Sequence, residues 1–508
     1  MEAQLAAIAA AAVIIVLAVS FIMSGNSEGP SDEGYLYALY TDPENNLDIV
    51  DVYESHMENG KPTALAQRYR TSDSPDGINP LWQFDRTTGK GPFGSFYAAI
   101  NLTDGDVYSA DDGREGRMST DVGCIAYILD PYDLGRTLKG NAFSAELYNV
   151  MLMVPTAYWT SEKAVADSTI GNLEEGKEYN VLYISSSRSY APAGHDRIDG
   201  MTAYAHSASK EPGKTDFTSN VYPYLGLGVY ESYATSAEDV IGEGKIVSQT
   251  GRVPSSKIDV DGFKDLADGL VPASGGRLES DYQQWNYYQW TLYKIMCYTV
   301  MGSKNSQVMV GAGYTAGNDS SAVTGSTDKV GFMGIAEETQ SANGASSSEE
   351  GRTAAKLFLE NGWGSLNEFL GDAFVTGEEH DSMYLHLGNT LGGERMIDDR
   401  KLPSTTLIWA DIFRTGEAHR VIAGTSAEPD VWDAPVLADA NRAAYTDPGF
   451  PGDIVNGADS GVLSITVGGR WDNRHYAGVA FVCAGFDIGL ANEYRGARLA
   501  YLMGQEQI

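Results

Sequence analysis

Cysteine is scarce in this chain, which has three cysteines among 508 residues. Cys124, Cys297 and Cys483 lie far apart, so they form no zinc-ligand spacing, and their odd number shows no disulfide framework. Whether two of them meet in the fold is left open by their positions. The chain is long enough to be held together by a large buried core instead.

Positive charge is also scarce. Lys and Arg number 35 against 69 Asp and Glu, which gives a formal net charge of −34 and a pI near 4.4. A surface of this sign repels phosphate backbones, so nucleic acid is excluded as a partner. The acidic residues are spread along the chain rather than gathered in a tail. This composition is compatible with a salty habitat and an archaeal source, or with a device for solubility alone.

Catalytic motifs of the common kinds are missing. The chain has no Gly-x-Ser-x-Gly elbow, no His-Glu-x-x-His and no phosphate-binding glycine loop. Seven histidines are scattered, at positions 56, 195, 206, 380, 386, 419 and 475. Glu378, His380 and Asp381 have metal-ligating side chains, but a solvated loop is the favoured interpretation. Asp111-Asp112 and Asp398-Asp399 are interpreted as turns or solvated faces rather than calcium sites. We therefore expect no catalytic residue, no metal and no cofactor.

Glycine and tyrosine are abundant, with 57 and 30 residues. Turn residues between short apolar or alternating runs predict a loop-rich β structure. Predicted strands cover residues 47–53, 92–100, 124–129, 179–184, 224–231, 463–467 and 496–502. The apolar run 145–159 contains Pro155, which favours two strand pieces over one helix.

Helical periodicity is confined to a few segments. Three helices are predicted, over 263–270, from about 281 to 301, and over 353–359 with a continuation near 365–369. Asp259 or Asp261 is available to cap the first of them. The segment 302–351 is rich in Gly, Ser, Ala, Asn and Thr and predicts a long loop. The fold class is therefore predicted as α+β, with short strands, few helices and long loops.

The longest apolar run lies at the start of the chain. Leu5 to Met23 contains no charged residue and one serine. As a helix rising about 1.5 Å per residue, this run spans roughly 28 Å, close to the thickness of a bilayer core. A cleaved signal peptide is the rival interpretation, but residues 1–4 carry no positive charge and a good cleavage site is lacking. We predict an uncleaved single-pass anchor in the cell membrane, with the bulk of the chain extracellular.

These patterns divide the chain into three predicted segments. Residues 1–25 are predicted as the N-terminal transmembrane anchor. Residues 26–89 have an irregular, turn-rich pattern and are predicted as a linker and membrane-proximal spacer, or as the edge of the main domain. Residues 90–508 are predicted as the ligand-binding domain, with a variable patch at 470–494.

The stretch from Gly461 to Met503 has orderly ends and a mixed middle. Two strand patterns enclose charged, polar and aromatic side chains, which is typical of a binding surface. The residues predicted to contact a ligand are Arg470, Asp472, Asn473, Arg474, His475, Tyr476, Phe481, Cys483, Phe486, Asp487, Asn492, Glu493 and Tyr494. The alternation of Val479, Phe481 and Cys483 leaves an inward orientation of the last two equally open.

The same stretch also contains the residues predicted as its frame. These structural residues are Gly468, Gly469, Trp471, Gly496 and Arg498. Trp471 is predicted as a core aromatic. Arg498 is predicted to bind backbone carbonyls or a carboxylate.

The motifs Gly468-Gly469-Arg470-Trp471 and Gly496-Ala497-Arg498-Leu499 carry a resemblance to a known family. The stretch resembles the C-type lectin-like fold of the formylglycine-generating-enzyme (sulfatase-modifying factor) group. Further landmarks that look similar are Trp363-Gly364-Ser365, Glu368-Phe369, Gly388-Asn389-Thr390 and the run from Trp285 to Tyr293. The resemblance implies an irregular lectin-like domain from about residue 90 to the end, with its specific motifs in the last forty residues.

A narrower resemblance is to variable surface proteins that are diversified by retroelements and use the same fold. In those proteins a fixed scaffold surrounds a patch whose side chains vary to bind new ligands. The enzymes of the group instead oxidise a cysteine with copper held by two cysteines. At the matching places this chain has Asn473 and Gly478, neither of which is a thiolate. The resemblance therefore implies a binding protein and not an enzyme.

The favoured hypothesis is thus a membrane-anchored cell-surface protein whose lectin-like domain binds an unknown protein or glycan without catalysis. A structural envelope or virion component is the first alternative. A divergent copper oxidase of the formylglycine-generating type is the second.

Overall fold

The computed structural model describes a mainly β protein with few helices. The described residues are 34–41, 49–58, 61–70, 82–103, 122–166, 173–190, 201, 203–207, 221–272, 280–303, 305–317, 319–377, 384–387, 398–401, 455–457, 461–474 and 477–504. The predicted anchor at Leu5–Met23 lies outside them. Within the described ranges, no helix is both long and apolar enough to cross a membrane.

The strands are short and are numbered in chain order. The first thirteen are β1 (Tyr35–Thr41), β2 (Ile49–Glu58), β3 (Lys61–Arg70), β4 (Phe96–Asn101), β5 (Ile125–Asp130), β6 (Asp133–Thr137), β7 (Tyr148–Pro155), β8 (Tyr158–Val165), β9 (Glu178–Ser185), β10 (Tyr224–Gly228), β11 (Tyr233–Ala234), β12 (Ile246–Val247) and β13 (Asp281–Gln284). The others are β14 (Met333–Ile335), β15 (Thr339–Gln340), β16 (Ser346–Ser347), β17 (Ala355–Leu357), β18 (Leu359–Glu360), β19 (Asn367–Gly377), β20 (Tyr384–Leu387), β21 (Asp398–Lys401), β22 (Val455–Gly457), β23 (Gly461–Val467), β24 (Val482–Asp487), β25 (Arg495–Gly496) and β26 (Leu499–Met503).

The α-helices of the described chain are α1 (Val260–Asp268), α2 (Tyr287–Met301) and the single turn α3 (Ser306–Met309), and short 3-10 helices lie at Pro92–Gly94, Ala145–Leu147 and Tyr204–His206. Asp259 caps α1 by accepting a hydrogen bond from the Gly262 amide. In α2 every residue is buried, so the helix is the central element of the core. This helix begins later than predicted. Residues 281–284 form strand β13 instead. The helix starts at Tyr287 because Asn286 and Gln289 make a reciprocal capping box there.

The predicted third helix over 353–359 and 365–369 is wrong. These residues form β17, β18 and the start of β19. Phe358 and Ser365 have positive φ angles of 62° and 58°, which a right-handed helix does not allow. Where the preceding segment 302–351 is described, it is largely irregular, with only α3 and strands of two or three residues.

One sheet joins the start of the chain to its middle. It has the strand order β3-β2-β1-β9-β8, and Leu39 in β1 lies opposite Leu182 in β9. The rings of Tyr37, Trp82 and Phe93 pack together beside it. The described strands of the predicted segment 26–89 thus share one sheet with β8 and β9, which come from beyond residue 90.

Two larger sheets meet around the C-terminal stretch. The first has the order β13-β26-β10-β7-β4-β5-β6, and the second has the order β21-β20-β19-β23-β24-β22, with β25 paired in parallel to β19. The two strands predicted at the ends of the stretch exist as β23 and β26. Since β23 and β26 belong to different sheets, the residues between them cross from one sheet to the other.

Candidate functional site

A double-glycine turn follows β23 and starts the site. Gly468 and Gly469 have φ angles of +83° and +81°, a backbone conformation that favours glycine. A Cβ atom on Gly469 would lie 2.6 Å from the Cβ of Ala477. The glycine pair is thus required by both the turn and the close approach of the returning chain.

The residue after the turn, Trp471, is buried with only 7% of its surface exposed. Its ring packs in a small cluster with Tyr314 and Ala322. Its amide donates to the Ser365 carbonyl at 3.1 Å, and its carbonyl accepts from the Gly317 amide at 2.7 Å. Trp471 therefore anchors the loop both to the irregular segment before β17 and to the connection between β18 and β19, as part of the frame.

Arg470, next to it, reaches the surface. Its Nε and Nη2 donate to the two carboxylate oxygens of Asp472 at 2.5 and 3.0 Å. Its guanidinium also lies over the Tyr494 ring, 3.9 Å from the centroid. The Tyr494 ring in turn contacts Trp471, with centroids 5.5 Å apart. This stack connects the two ends of the predicted patch and presents a half-buried aromatic ring beside a charged pair.

A second arginine supports the other side of the site. Arg495 lies over the Phe486 ring at 4.1 Å, and its Nη1 donates to the Leu490 carbonyl at 2.9 Å. Burial lowers the pKa of the Arg495 guanidinium, and the charge of Arg470 lowers it further. The turn after β24 is held in addition by Asp487, whose carboxylate accepts from the Gly489 amide.

Nine of the predicted contact residues are exposed or half-buried, and we name them together the C-terminal surface. Asp472, Arg474, Asp487 and Glu493 are exposed, and the other five are half-buried. The C-terminal surface consists of Arg470, Asp472, Asn473, Arg474, Phe486, Asp487, Asn492, Glu493 and Tyr494. It is mixed in charge and includes two aromatic rings, those of Phe486 and Tyr494.

Two of the residues predicted to contact a ligand are buried instead. Phe481 and Cys483 are only 5% and 2% exposed, because both lie among the buried residues that lead into and through β24. A side chain in that position packs against the core and does not meet a ligand. Two others, His475 and Tyr476, lie outside the described residues.

A buried ion pair holds the frame beneath the C-terminal surface. The Arg498 Nε donates to both carboxylate oxygens of Glu368, at 3.1 and 2.9 Å. Its Nη1 donates to the carbonyls of Gly228 and Val229, both at 2.9 Å. Arg498 is fully buried, and so it uses carboxylate and carbonyl partners together. It ties β25 and β26 to β10 and β19.

A second buried carboxylate lies near this pair. Glu231 accepts from the Ser365 hydroxyl at 2.6 Å and from the Leu366 amide at 2.8 Å. Burial raises the pKa of Glu231 well above its usual value, and the nearby Glu368 raises it further. Ser365 also accepts from the Ala322 amide at 3.1 Å. Ser365 is thus the point where the frame, the loop and β19 meet.

Sequence reasoning missed Glu231 and Glu368 as parts of the frame. Both glutamates are nearly fully buried, at 1% and 2% exposure. The available signal was their position within apolar runs, since a glutamate there needs a buried partner. The partner itself, Arg498, is 130 positions away from Glu368 and is not identified by spacing.

The side chains do not fit the copper site of the enzymes that the sequence resembles. The three cysteines are each buried, and none of them forms a disulfide. Within the described ranges, no group of three or more His, Cys, Asp and Glu residues is arranged to hold a metal. The earlier candidates Glu378, His380 and Asp381 lie outside those ranges. What the C-terminal surface offers is hydrogen bonding, charge and ring stacking.

Comparisons with known proteins give only distant likenesses. No protein-family model matches the chain, and no curated protein matches it. A solved structure titled Major Tropism Determinant U1 Variant matches over 91% of this chain and 85% of its own, at 10% identity and a TM-score of 0.25. The Major Tropism Determinant P3c Variant matches over 88% and 91%, at 11% identity and a TM-score of 0.23. TM-scores this low carry no argument about fold or function.

Proposed function

We propose that this chain binds a macromolecular ligand, a protein or a glycan, through the C-terminal surface and without catalysis. The observation that carries the proposal is the stack of Arg470 on Tyr494, flanked by the exposed side chains of Asp472, Arg474 and Glu493. Arginine and tyrosine are the residues that most often dominate binding energy at protein interfaces. Their charges and hydrogen-bonding groups are fixed in place before a ligand arrives, which lowers the entropic cost of binding.

The proposal includes a C-type lectin-like fold with a diversified patch. Its support is the sequence resemblance and the separation of roles in the structure. Gly468, Gly469, Trp471 and Arg498 form turns and core contacts, whereas the C-terminal surface between them carries the exposed side chains of Asp472, Arg474, Asp487 and Glu493. A near-repeat of the DNA encoding Gly461–Met503, next to a reverse-transcriptase gene and differing at adenines, would establish the diversification.

The proposed location is the cell surface, with residues 5–23 as a membrane anchor and the rest of the chain outside. The uncharged apolar run supports it. Fractionation of expressing cells, followed by protease treatment of intact cells, tests this part. We expect the chain in the membrane fraction and its degradation from outside. Recovery in the soluble fraction would contradict the anchor.

The binding proposal is tested on printed arrays of glycans and of extracellular protein domains. The purified chain is compared with a Tyr476→Ala, Tyr494→Ala double variant. We expect at least one array ligand to bind the chain, and the double variant to lose about 30-fold or more in affinity with its thermal melt unchanged. Equal binding by both proteins would place the site elsewhere.

A further inference from the structure

The loop after the double-glycine turn is attached to the frame through main-chain atoms. The Arg474 amide donates to the Thr315 carbonyl at 2.8 Å, and the Gly478 amide donates to the Gly468 carbonyl at 3.3 Å. The contacts of the Trp471 amide and carbonyl are of the same kind. Because amides and carbonyls are the same for every residue, these bonds do not depend on which side chains the loop displays.

One side chain from another element completes this attachment. Gln307, on α3, donates from Nε2 to the carbonyl of Arg474 and to the carbonyl of Ala477, each at 2.7 Å. Both protons of one amide group are therefore used on two carbonyls of the same loop, three positions apart. Both bonds are within the short range of good hydrogen bonds.

The position of Gln307 is itself fixed. Its helix starts at the cap Asn305, whose side chain accepts from the Val308 amide at 3.1 Å. The neighbouring Ser306 hydroxyl accepts from the Val479 amide at 3.3 Å. Two adjacent residues of α3 thus hold the loop on either side of Gly478, one by donating to it and one by accepting from it.

We infer that Gln307 is a positioning residue for the C-terminal surface. It sets the separation of the Arg474 and Ala477 carbonyls through two bonds that involve no side chain of the loop. The inference rests on the proposed function, because it explains how the side chains of a recognition loop are exchangeable without loss of its backbone shape.

The test uses an arginine-specific protease on the folded chain, with cleavage at Arg474 identified by the mass of the fragment that begins at His475. Gln307→Glu is nearly isosteric but lacks the donor, and it places a carboxylate against two carbonyls. Gln307→Lys retains a donor. Val308→Ala is the matched control, because Val308 is 43% exposed on the same helix turn.

We expect cleavage at Arg474 about tenfold faster or more in Gln307→Glu, because two hydrogen bonds that close the loop are lost. Gln307→Lys and Val308→Ala are expected to be cleaved at the rate of the unchanged chain. All four proteins are expected to melt within about 2 °C of each other, which shows that the effect is local.

Equal cleavage rates at Arg474 in Gln307→Glu and the unchanged chain would overturn the inference. Faster cleavage at every arginine together with a lower melting temperature would also overturn it, because Gln307 would then act on the whole fold. This readout needs no ligand. If the arrays show no ligand while Gln307→Glu is cleaved faster at Arg474, the proposed function fails and the positioning role stands.

Discussion

At the scale of single residues, the most consequential contact is the buried pair of Arg498 and Glu368. A buried charge that loses its partner is strongly destabilising, because the remaining charge has no solvent. Arg498→Met would also leave the carbonyls of Gly228 and Val229 without their donor. We expect Arg498→Met to lower the free energy of unfolding by about 4 kcal/mol, measured by chemical denaturation.

The matched control for this prediction is the exposed ion pair of Arg470 and Asp472. Asp472→Asn removes one charge of a pair whose members are 21% and 39% exposed. Such pairs contribute at most about 1 kcal/mol. A loss below 1 kcal/mol in Arg498→Met would show that the pair does not support the frame.

A single buried residue, Glu360, also makes the stability of the protein depend on pH. Glu360 is buried and accepts from the Gly325 and Thr327 amides, both at 2.8 Å. Burial raises the pKa of Glu360 to about 7, and the nearby Asp328 contributes to the rise. The folded protein therefore keeps this proton to a higher pH than the unfolded chain does. The stability from Glu360 is complete below a pH of about 4.5 and is lost as the pH rises to about 7.

Glu360→Gln removes this titration, so the variant and the unchanged chain are to be compared across pH. We expect the stability of the unchanged chain, relative to Glu360→Gln, to fall by ~3 kcal/mol between those two pH values. Lys356 acts at higher pH, since burial lowers the pKa of its amine to about 8. A difference between the two proteins that is constant with pH would contradict the assignment.

At the scale of elements, the double-glycine turn decides the path of the C-terminal stretch. Gly469→Ala would place a Cβ atom against Ala477 in a left-handed backbone conformation. We expect it to lower the free energy of unfolding by about 2 kcal/mol or more. Gly140→Ala is the control, because Gly140 has a φ angle of +86° and nothing within 4 Å of the added atom. Equal losses in the two variants would show that the turn is not closely packed.

The helices and strands that the sequence predicts well are those with a local cause, and the others depend on distant parts of the chain. In sequence, strand β23 alternates apolar residues with small polar ones, and α1 has a capping aspartate, so both have local signals that a sequence shows. The start of α2 was placed too early because residues 281–284 pair with β26, which is more than two hundred positions away. The segment 353–369 looked helical from its apolar spacing, whereas positive φ angles at Phe358 and Ser365 direct it into strands.

The site residues follow the same rule: local patterns identify some of them, and long-range contacts determine the rest. Gly468, Gly469 and Trp471 are identifiable from their types and order. Phe481 and Cys483 lie in a segment whose inward orientation depends on β24 pairing with β23, which alternation alone left open. Glu231, Ser365 and Gln307 are distant in sequence from the loop that they hold, so no local pattern marks them.

At the scale of the whole molecule, the frame and the C-terminal surface are expected to be separable. Asp472, Arg474, Asp487 and Glu493 are exposed, and substitutions of exposed residues usually change stability by at most about 0.5 kcal/mol each. A chain with all four replaced by alanine is expected to melt within about 4 °C of the unchanged chain. Calorimetry measures this, and a drop as large as that of Arg498→Met would contradict the division into frame and surface.

The location of the bound ligand tests the central claim most directly. Hydrogen–deuterium exchange is to be measured on the full chain, with and without the tightest ligand from the arrays. We predict slower exchange on binding at residues 470–474 and 487–494, and unchanged exchange at the turn 137–141, which lies outside the C-terminal surface. Protection elsewhere in the chain, with none in those two segments, would contradict the claim that this surface recognises the ligand.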